Sequence, residues 1–346
     1  MKKNELAGTF LKLPPVVFGT SALGNLYVAL TEKDKLDIIR ECFNHVKKPV
    51  VFDCAGKYGA GLALNMLGIC LQRLGIKPDD IIISNKLGWY RTPLTASEPT
   101  FEKNVWKNLD HDAIQMISYE GILKCWEQGN ELLGGKYEPQ MVSVHDPDEY
   151  LNQAQNDNER KKLFQDIRDA YHALSDLKKQ GKVRAIGIGA KDWRVIERLS
   201  EYIDFDWVMF ANSLTLYRHP AELCEFMSDL YKHGTTIINS AVFNAGFLTG
   251  GNYFDYRLVD RNEAEYIPLF AWRESFFSLC EEYSVTPSHV CIQFGMSHPA
   301  VSALALNTSN PEHVKKNVEY VSNSVPGDLF NAMKKKGLID IDYPFV

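Results

Sequence analysis

The sequence contains no pair of cysteines in Cys-x-x-Cys spacing, although its 346 residues include seven cysteines, at 42, 54, 70, 125, 224, 280 and 291. An odd and scattered set argues against a disulfide framework or a zinc ribbon, and points to reduced thiols in a cytoplasmic protein. No uninterrupted apolar run reaches the length of a membrane span, and the opening MKKNELAGTF lacks the apolar core of a secretion signal. Basic charge is in short supply too: 38 Lys and Arg stand against 44 Asp and Glu, a formal net charge of −6. That balance argues against a general binder of nucleic acid or membrane surfaces. Repeats, low-complexity tracts and linker-like stretches are absent, so one domain over residues 1–346 is expected. The dinucleotide fingerprint GxGxxG is missed twice. Gly59 and Gly61 of YGAGLALN lead to Leu64, and Gly187 and Gly189 of IGIGAKDW lead to Asp192, where a small residue is required. No convergent His/Asp ligand set is found at strand ends, so no metal is expected.

What is present is an alternation. With 45% hydrophobic residues the chain can bury a large core. Apolar strand candidates fall at 15–19, 49–53, 80–86, 140–145, 183–189, 206–211, 235–240 and 300–306. Longer segments of helical character lie between them, among them EKDKLDIIRECFNHV, ALNMLGICLQRLG, RKKLFQDIRDAYHALSDLKKQG and PAELCEFMSDLYKHG. Repeated β/α units of this number predict an α/β fold with a parallel sheet closed as a (β/α)8 TIM barrel, an open doubly wound sheet being the alternative. Pro14 and Pro15, after GTFLKL, suit an N-terminal β-hairpin that plugs the bottom of the barrel.

In such barrels the chemistry sits at the C-terminal ends of the strands. The second strand, VVFD, ends in Asp53 with Tyr58 in the following loop. The third ends in Lys86, and the fourth in His145 followed by Asp146. A carboxylate at the exit of a buried strand needs a partner. Lys86 beside Asp53 is expected to stay a cation, and a cation near Tyr58 is expected to lower the phenol's pKa from its usual value of about 10. His145 can donate to a substrate oxygen. Taken singly, each residue has a simpler reading: a helix cap, a loop aromatic, a solvated strand end, a satisfied core histidine. Together, in this order, they form a set that can exchange a proton with a hydroxyl or carbonyl while hydride moves.

DCAGKYG, ISNKLGW and VSVHDPD resemble the Asp, Tyr, Lys, His tetrad of the aldo-keto reductases, which are (β/α)8 barrels using a nicotinamide cofactor. FGTSALGN and SAVFNAGFLTGG resemble further motifs of that family, and the likeness extends over nearly the whole chain. It implies Asp53, Tyr58, Lys86 and His145 as catalytic residues. It also implies cofactor contacts at Gly19, Thr20 and Asp53, and pyrophosphate under the loop from Ser240 to Gly251, with Ser240, Phe243, Gly246 and Leu248 at contact positions. The adenosine end falls on ALNTSNPEHVKKN, at Asn307, Thr308, His313, Lys316 and Asn317. Two of these, Asn307 and His313, replace cations common in NADP-preferring relatives. A phosphate dianion without paired cations is poorly bound, so NAD is expected over NADP, with Lys315 or Lys316 the residues able to reverse that. For the carboxamide, Asn212 is available, whereas Gly189, Ala190 and Lys191 stand where polar partners are common.

The substrate is expected to meet Tyr58, His145, Trp89 and Trp106. The last two lie in a long segment where Trp89, Tyr90 and Trp106 interleave with Arg91, Asn108, Asp110 and His111. Aromatic faces beside hydrogen-bonding groups suit a sugar ring. The chain looks most like the branch that oxidises free aldoses at C1, which includes L-fucose (D-threo-aldose) and L-galactose dehydrogenases and the related pyridoxal 4-dehydrogenase. The resemblance implies a small-molecule sugar as partner; a general aldehyde reductase and, less favoured, a non-catalytic nicotinamide-binding subunit are the alternatives, and the charge balance speaks against nucleic acid and membrane.

Overall fold

Every one of the apolar segments forms a strand in the computed structural model, which describes residues 4–5 and 11–346. In chain order they are β1 (Val16–Gly19), β2 (Val50–Ala55), β3 (Ile81–Leu87), β4 (Met141–His145), β5 (Ala185–Ala190), β6 (Trp207–Ala211), β7 (Thr236–Ser240) and β8 (Val301–Leu306). All pair in parallel with their sequence neighbours, and β8 pairs with β1, so the sheet closes. The fold is a (β/α)8 TIM barrel. Closure removes every sheet edge, and helices cover the outside, which is why the strands read as near-continuous apolar runs.

The strand period of two residues decides what lies inside. Val17, Val51, Ile82, Met141, Ala185, Trp207, Met209, Ile238 and Ala303 fill the barrel interior. Their neighbours in sequence, such as Val50, Phe52, Ile81 and Ile83, belong to the larger core beneath the helices. Two residues beyond Val51 on the inward register comes Asp53; four beyond Ile82 comes Lys86; four beyond Met141 comes His145. The alternation that packs the interior thus delivers these side chains to its upper end. Gly187 also belongs to this layer, since a Cβ there would run into the ring of Trp207. Gly187 serves packing, whereas Gly189 lines the space above the barrel.

Residues 4–5 and 12–13 pair antiparallel, and Leu11 and Leu13 join the interior cluster, closing the barrel from below as the hairpin expectation requires. The turn between them, residues 6–10, lies outside the described residues. Helices follow at Glu32–His45, Leu62–Arg73, Asp157–Lys179 and Ala221–Lys232, among others. The first is opened by a capping box, Thr31 accepting from the Asp34 amide while Asp34 returns the bond, and it buries Ile38, Ile39 and Cys42. Burying such an aliphatic side chain contributes roughly 1.5–3 kcal/mol. All the cysteines are buried and unpaired. Among the described residues, no helix is long and apolar enough to cross a membrane.

Between β3 and the helix Tyr119–Leu132, the long aromatic-polar segment is more ordered than a loop. Trp89–Pro93 and His111–Gln115 form an antiparallel ribbon, and the chain between them bends back so that Leu26 and Trp106 make a β-bridge. A shorter ribbon, Tyr253–Phe254 with Arg257–Leu258, follows β7.

Candidate active site

The β2–β3 register sets Asp53 opposite Ser84 and Ala55 opposite Lys86, so the Lys86 side chain reaches back to Asp53. Its Nζ donates to Asp53 Oδ2, and Ser84 Oγ donates to Oδ1 at 3.2 Å. Thr20 donates from Oγ1 to the Asp53 carbonyl at 3.0 Å, which anchors the end of β2 to the end of β1. Tyr58 is carried back over this pair by the turn Gly56–Gly59. The Lys86 ammonium stands 4.9 Å from the centroid of its ring. His145 meets the same ring edge-on, with centroids 5.5 Å apart. The four residues picked out by strand-end reasoning form one contiguous group.

Their electrostatics differ from expectation in one respect. Burial pushes the Tyr58 phenol well above its ordinary value, and the negative charge of Asp53 pushes it further. The sequence-based expectation of a lowered phenol pKa is therefore overturned. Lys86 is spent on Asp53, so the phenol sees an ion pair instead of a bare cation, while desolvation acts on it in full. Burial also holds the His145 imidazole well below its usual range, helped by the charges of Lys86 and Lys57, so the ring is neutral at physiological pH. Its Nε2 lies 3.5 Å from Asp146 Oδ2, and its Nδ1 meets no partner.

Around this group lies an ionic network that sequence reasoning missed. The Lys57 ammonium bridges Glu102 at 2.7 Å, Glu149 at 2.8 Å and Asp146 at 3.3 Å. Lys191 pairs with the other oxygen of Glu149 and stands 4.7 Å above the ring of Tyr256. Burial works against the Lys57 charge, but Asp146, Glu102 and Glu149 outweigh it and hold the ammonium well above its ordinary range. Asp148 joins β4 to β5: its Oδ2 accepts from the amides of Lys191 at 3.1 Å and Asp192 at 2.9 Å. Burial and the neighbouring Asp146 charge push its carboxyl up to about 6. No local spacing announces these pairs, whose members lie far apart in sequence and meet only when the strand ends converge.

Above the group opens a cleft of about 1270 Å³ that runs across the barrel mouth to the last helices. Asp53, Tyr58, Lys86, His145 and Trp106 line one end. Gly19, Ser240, Phe243, Gly246, Asn307, Thr308, His313 and Asn317 line the remainder, so most of the expected cofactor contacts face one continuous space. Four expected residues do not line it. Thr20 is buried against the Asp53 carbonyl, and Leu248 lies fully buried in the core beneath the helices. Asn212 is buried with both amide atoms unpartnered, one residue beyond Ala211, which does reach the cleft. Trp89 sits on the β3 ribbon facing Phe101, with ring centroids 5.5 Å apart, and the Lys57 ammonium 5.4 Å from its ring. Trp106 supplies the aromatic wall instead, 5.9 Å from the Tyr58 ring, with Nε1 donating to Glu102 at 2.7 Å. Tyr27 and Tyr256, neither singled out from sequence, add two more phenols to this end.

The loop expected to receive pyrophosphate bends through left-handed backbone at Ala241, Asn244, Ala245 and Gly246. The space that a Cβ would take at Gly246 is open, leaving the backbone accessible from the cleft. At the far end Asn307 accepts from the Ala22 amide at 3.4 Å, and Thr308 is tied to Asn310. Lys316 lines the cleft, whereas Lys315 turns toward Glu319 at 3.8 Å. Small residues, open backbone and neutral amides in this sequence fit a dinucleotide.

A profile of the Aldo/keto reductase family matches residues 15–337. Pyridoxal 4-dehydrogenase of Microbacterium luteolum is 27% identical over 350 residues, spanning 98% of each chain. D-threo-aldose 1-dehydrogenase of a Pseudomonas species is 25% identical, over 96% of this chain and 97% of its own. L-galactose dehydrogenase of Arabidopsis thaliana is 22% identical, over 92% and 88% respectively. Among solved structures, a glycerol dehydrogenase from Gluconobacter oxydans superposes with a TM-score of 0.69 at 18% identity, covering 99% of this chain and 98% of the other. The holo form of an aldo-keto reductase from Bacillus halodurans gives 0.66, also at 18%, covering 98% and 97%. At this identity the structural likeness speaks to the fold.

Proposed function

The chain belongs to the aldo/keto reductase family of oxidoreductases, which use nicotinamide cofactors, and from that premise we propose that it oxidises the C1 hemiacetal of a free aldose to a lactone with NAD. The observation that carries this reading is the floor of the cleft. There a phenol, a neutral imidazole and a buried Lys–Asp pair meet beneath a wall of aromatic rings and paired charges. A nicotinamide bound in the cleft supplies the hydride acceptor. Tyr58 exchanges the C1 hydroxyl proton at its Oη, and the uncharged His145 donates from a ring nitrogen to hold the same oxygen. Lys86 and Asp53 fix the field under the phenol. Trp106 offers an apolar face to the C–H side of a sugar, while hydroxyl rims suit the polar groups around it.

The raised phenol pKa has a directional consequence. Protonated Tyr58 is ready to donate at neutral pH, which serves reduction, whereas oxidation needs its conjugate base and gains as pH rises. For the cofactor, Asn307 and His313 leave Lys316 as the cation lining the adenosine end, which supports NAD over NADP.

Pyridoxal is the second reading, favoured by the whole-length match to a pyridoxal 4-dehydrogenase. It too closes to a cyclic hemiacetal, and its ring would stack on Trp106. Initial rates with NAD+ on L-fucose, L-galactose, D-arabinose, D-glucose and pyridoxal decide between them. Fastest turnover on L-fucose or L-galactose supports the aldose reading. Turnover of pyridoxal alone removes the sugar and keeps the reaction type, and no turnover on any of them, with reduction of simple aldehydes only, removes both.

A further inference from the structure

Lys57 precedes the phenol in sequence, yet its side chain leaves the tetrad and is almost wholly buried among carboxylates from two other parts of the chain. Glu102 belongs to the return of the long segment after β3; Asp146 and Glu149 follow β4. Both Glu102 and Asp146 hold left-handed backbone, with φ of 42° and 48°. Such conformations in residues with a side chain are strained and persist only where the surroundings hold them.

What each carboxylate does next gives the arrangement its meaning. The second oxygen of Glu102 accepts from Trp106 Nε1 at 2.7 Å, which sets that ring against Tyr58. The Asp146 oxygen contacted by Lys57 is the one nearest His145. The segment carrying Trp106 is also tied to the β1 loop, by Tyr27 N to Val105 O at 2.8 Å, Lys107 N to Asn25 O at 3.0 Å and Asn25 Nδ2 to Lys107 O at 2.9 Å, and Phe101 and Trp106 pack with Ala60 and Ala113. Lys57 adds an ionic tie, from the turn after β2, between this segment and the residues that follow β4.

We propose that Lys57 is a positioning residue, a pin that holds the Trp106 wall in register with Tyr58 and His145 by bridging Glu102 to Asp146 and Glu149. The ammonium makes no contact with the reacting atoms. It fixes where the wall of the substrate end stands, and this role rests on the reading that Trp106 faces substrate.

The test uses the full-length protein with Lys57→Met, Lys57→Arg, Glu102→Gln and the Lys57→Met/Glu102→Gln pair. Hydrogen–deuterium exchange of peptides covering residues 100–108 and of the barrel strands requires no substrate. The pin predicts exchange in 100–108 faster by about tenfold or more in Lys57→Met, with the strands unchanged and Lys57→Arg near wild type. In kinetics, on whichever sugar, pyridoxal or simple aldehyde the wild type turns over best, Lys57→Met and Glu102→Gln each raise KM by about tenfold. Cofactor affinity stays put, and the double variant is no worse than the more damaging single one. If Lys57→Met does not fold, Glu102→Gln carries both readouts. Unchanged exchange in 100–108, or faster exchange spread equally through the strands, overturns the proposal. So does a raised exchange rate with KM unmoved. Failure of the aldose reading alone, seen as wild-type inactivity on sugars, leaves the exchange result to decide the pin.

Discussion

The two ends of the cleft are built from opposite materials. At the Tyr58 end, Lys57, Lys86 and Lys191 face Asp53, Glu102, Asp146 and Glu149, mostly buried and each ammonium paired. At the other end the lining is mainly neutral, with Ser240, Gly246, Asn307, Thr308 and Asn317 offering hydroxyls, amides and bare backbone and Lys316 a cation. Buried charges are costly unless every member has its partner, so the first end behaves as a unit. Neutral groups on loops are individually cheap to change. On the function proposed above, the ionic end carries the chemistry and the mainly neutral end the recognition of the cofactor.

The harshest way to break this contrast is to leave a charge unpaired. Lys86→Met strands Asp53 in the interior, and the loss of folding stability should be about 3–5 kcal/mol, read by chemical denaturation. A loss of under about 1 kcal/mol, the scale of an exposed ion pair, would mean that the pair is solvated. Next comes a change that touches chemistry while sparing the fold. Tyr58→Phe should reduce turnover by about 10²-fold or more, the usual scale for removing a general acid–base, with NAD affinity nearly unchanged in a fluorescence titration. Smallest is a change at the neutral end, which sharpens the comparison by showing that end to be tunable. Asn307→Lys with His313→Arg should improve NADP binding by about tenfold while turnover with NAD stays close to wild type. If the double variant instead abolishes turnover, the two ends are not separable.

How much of this was legible in the sequence follows the same division. The barrel was readable because each strand is a compact apolar run, and strand ends point to the catalytic face without further information. The meeting of Asp53, Lys86 and His145 could be anticipated because they continue the inward register past the last apolar residue. The ionic network could not, since Lys57 and Glu149 are ordinary surface letters until the segments that follow β2 and β4 meet above β3. The sign of the Tyr58 shift was misread for a related reason: the Lys86–Asp53 pair was foreseeable, but the depth at which the phenol is buried, the largest cause of its raised pKa, is a three-dimensional fact. Trp89 was expected in the substrate wall because aromatic and polar residues interleave there. The ribbon turns it toward Phe101, whereas Trp106, expected there as well, does stand beside Tyr58. Leu248 and Asn212 sit next to residues that reach the cleft, and one step along a backbone is enough to change the face.

The claim that proton transfer belongs to one end and cofactor recognition to the other is tested most directly by pH. Turnover for oxidation and the dissociation constant of NAD are measured in parallel on the wild-type protein between about pH 7 and 10, the range below and around an ordinary phenol. Because burial and Asp53 hold the proton on Tyr58, its basic form becomes available only as pH rises. The account predicts turnover that climbs throughout that range while NAD affinity stays level. Turnover that is flat or falls above neutrality, or a dissociation constant that moves in step with it, would contradict the account.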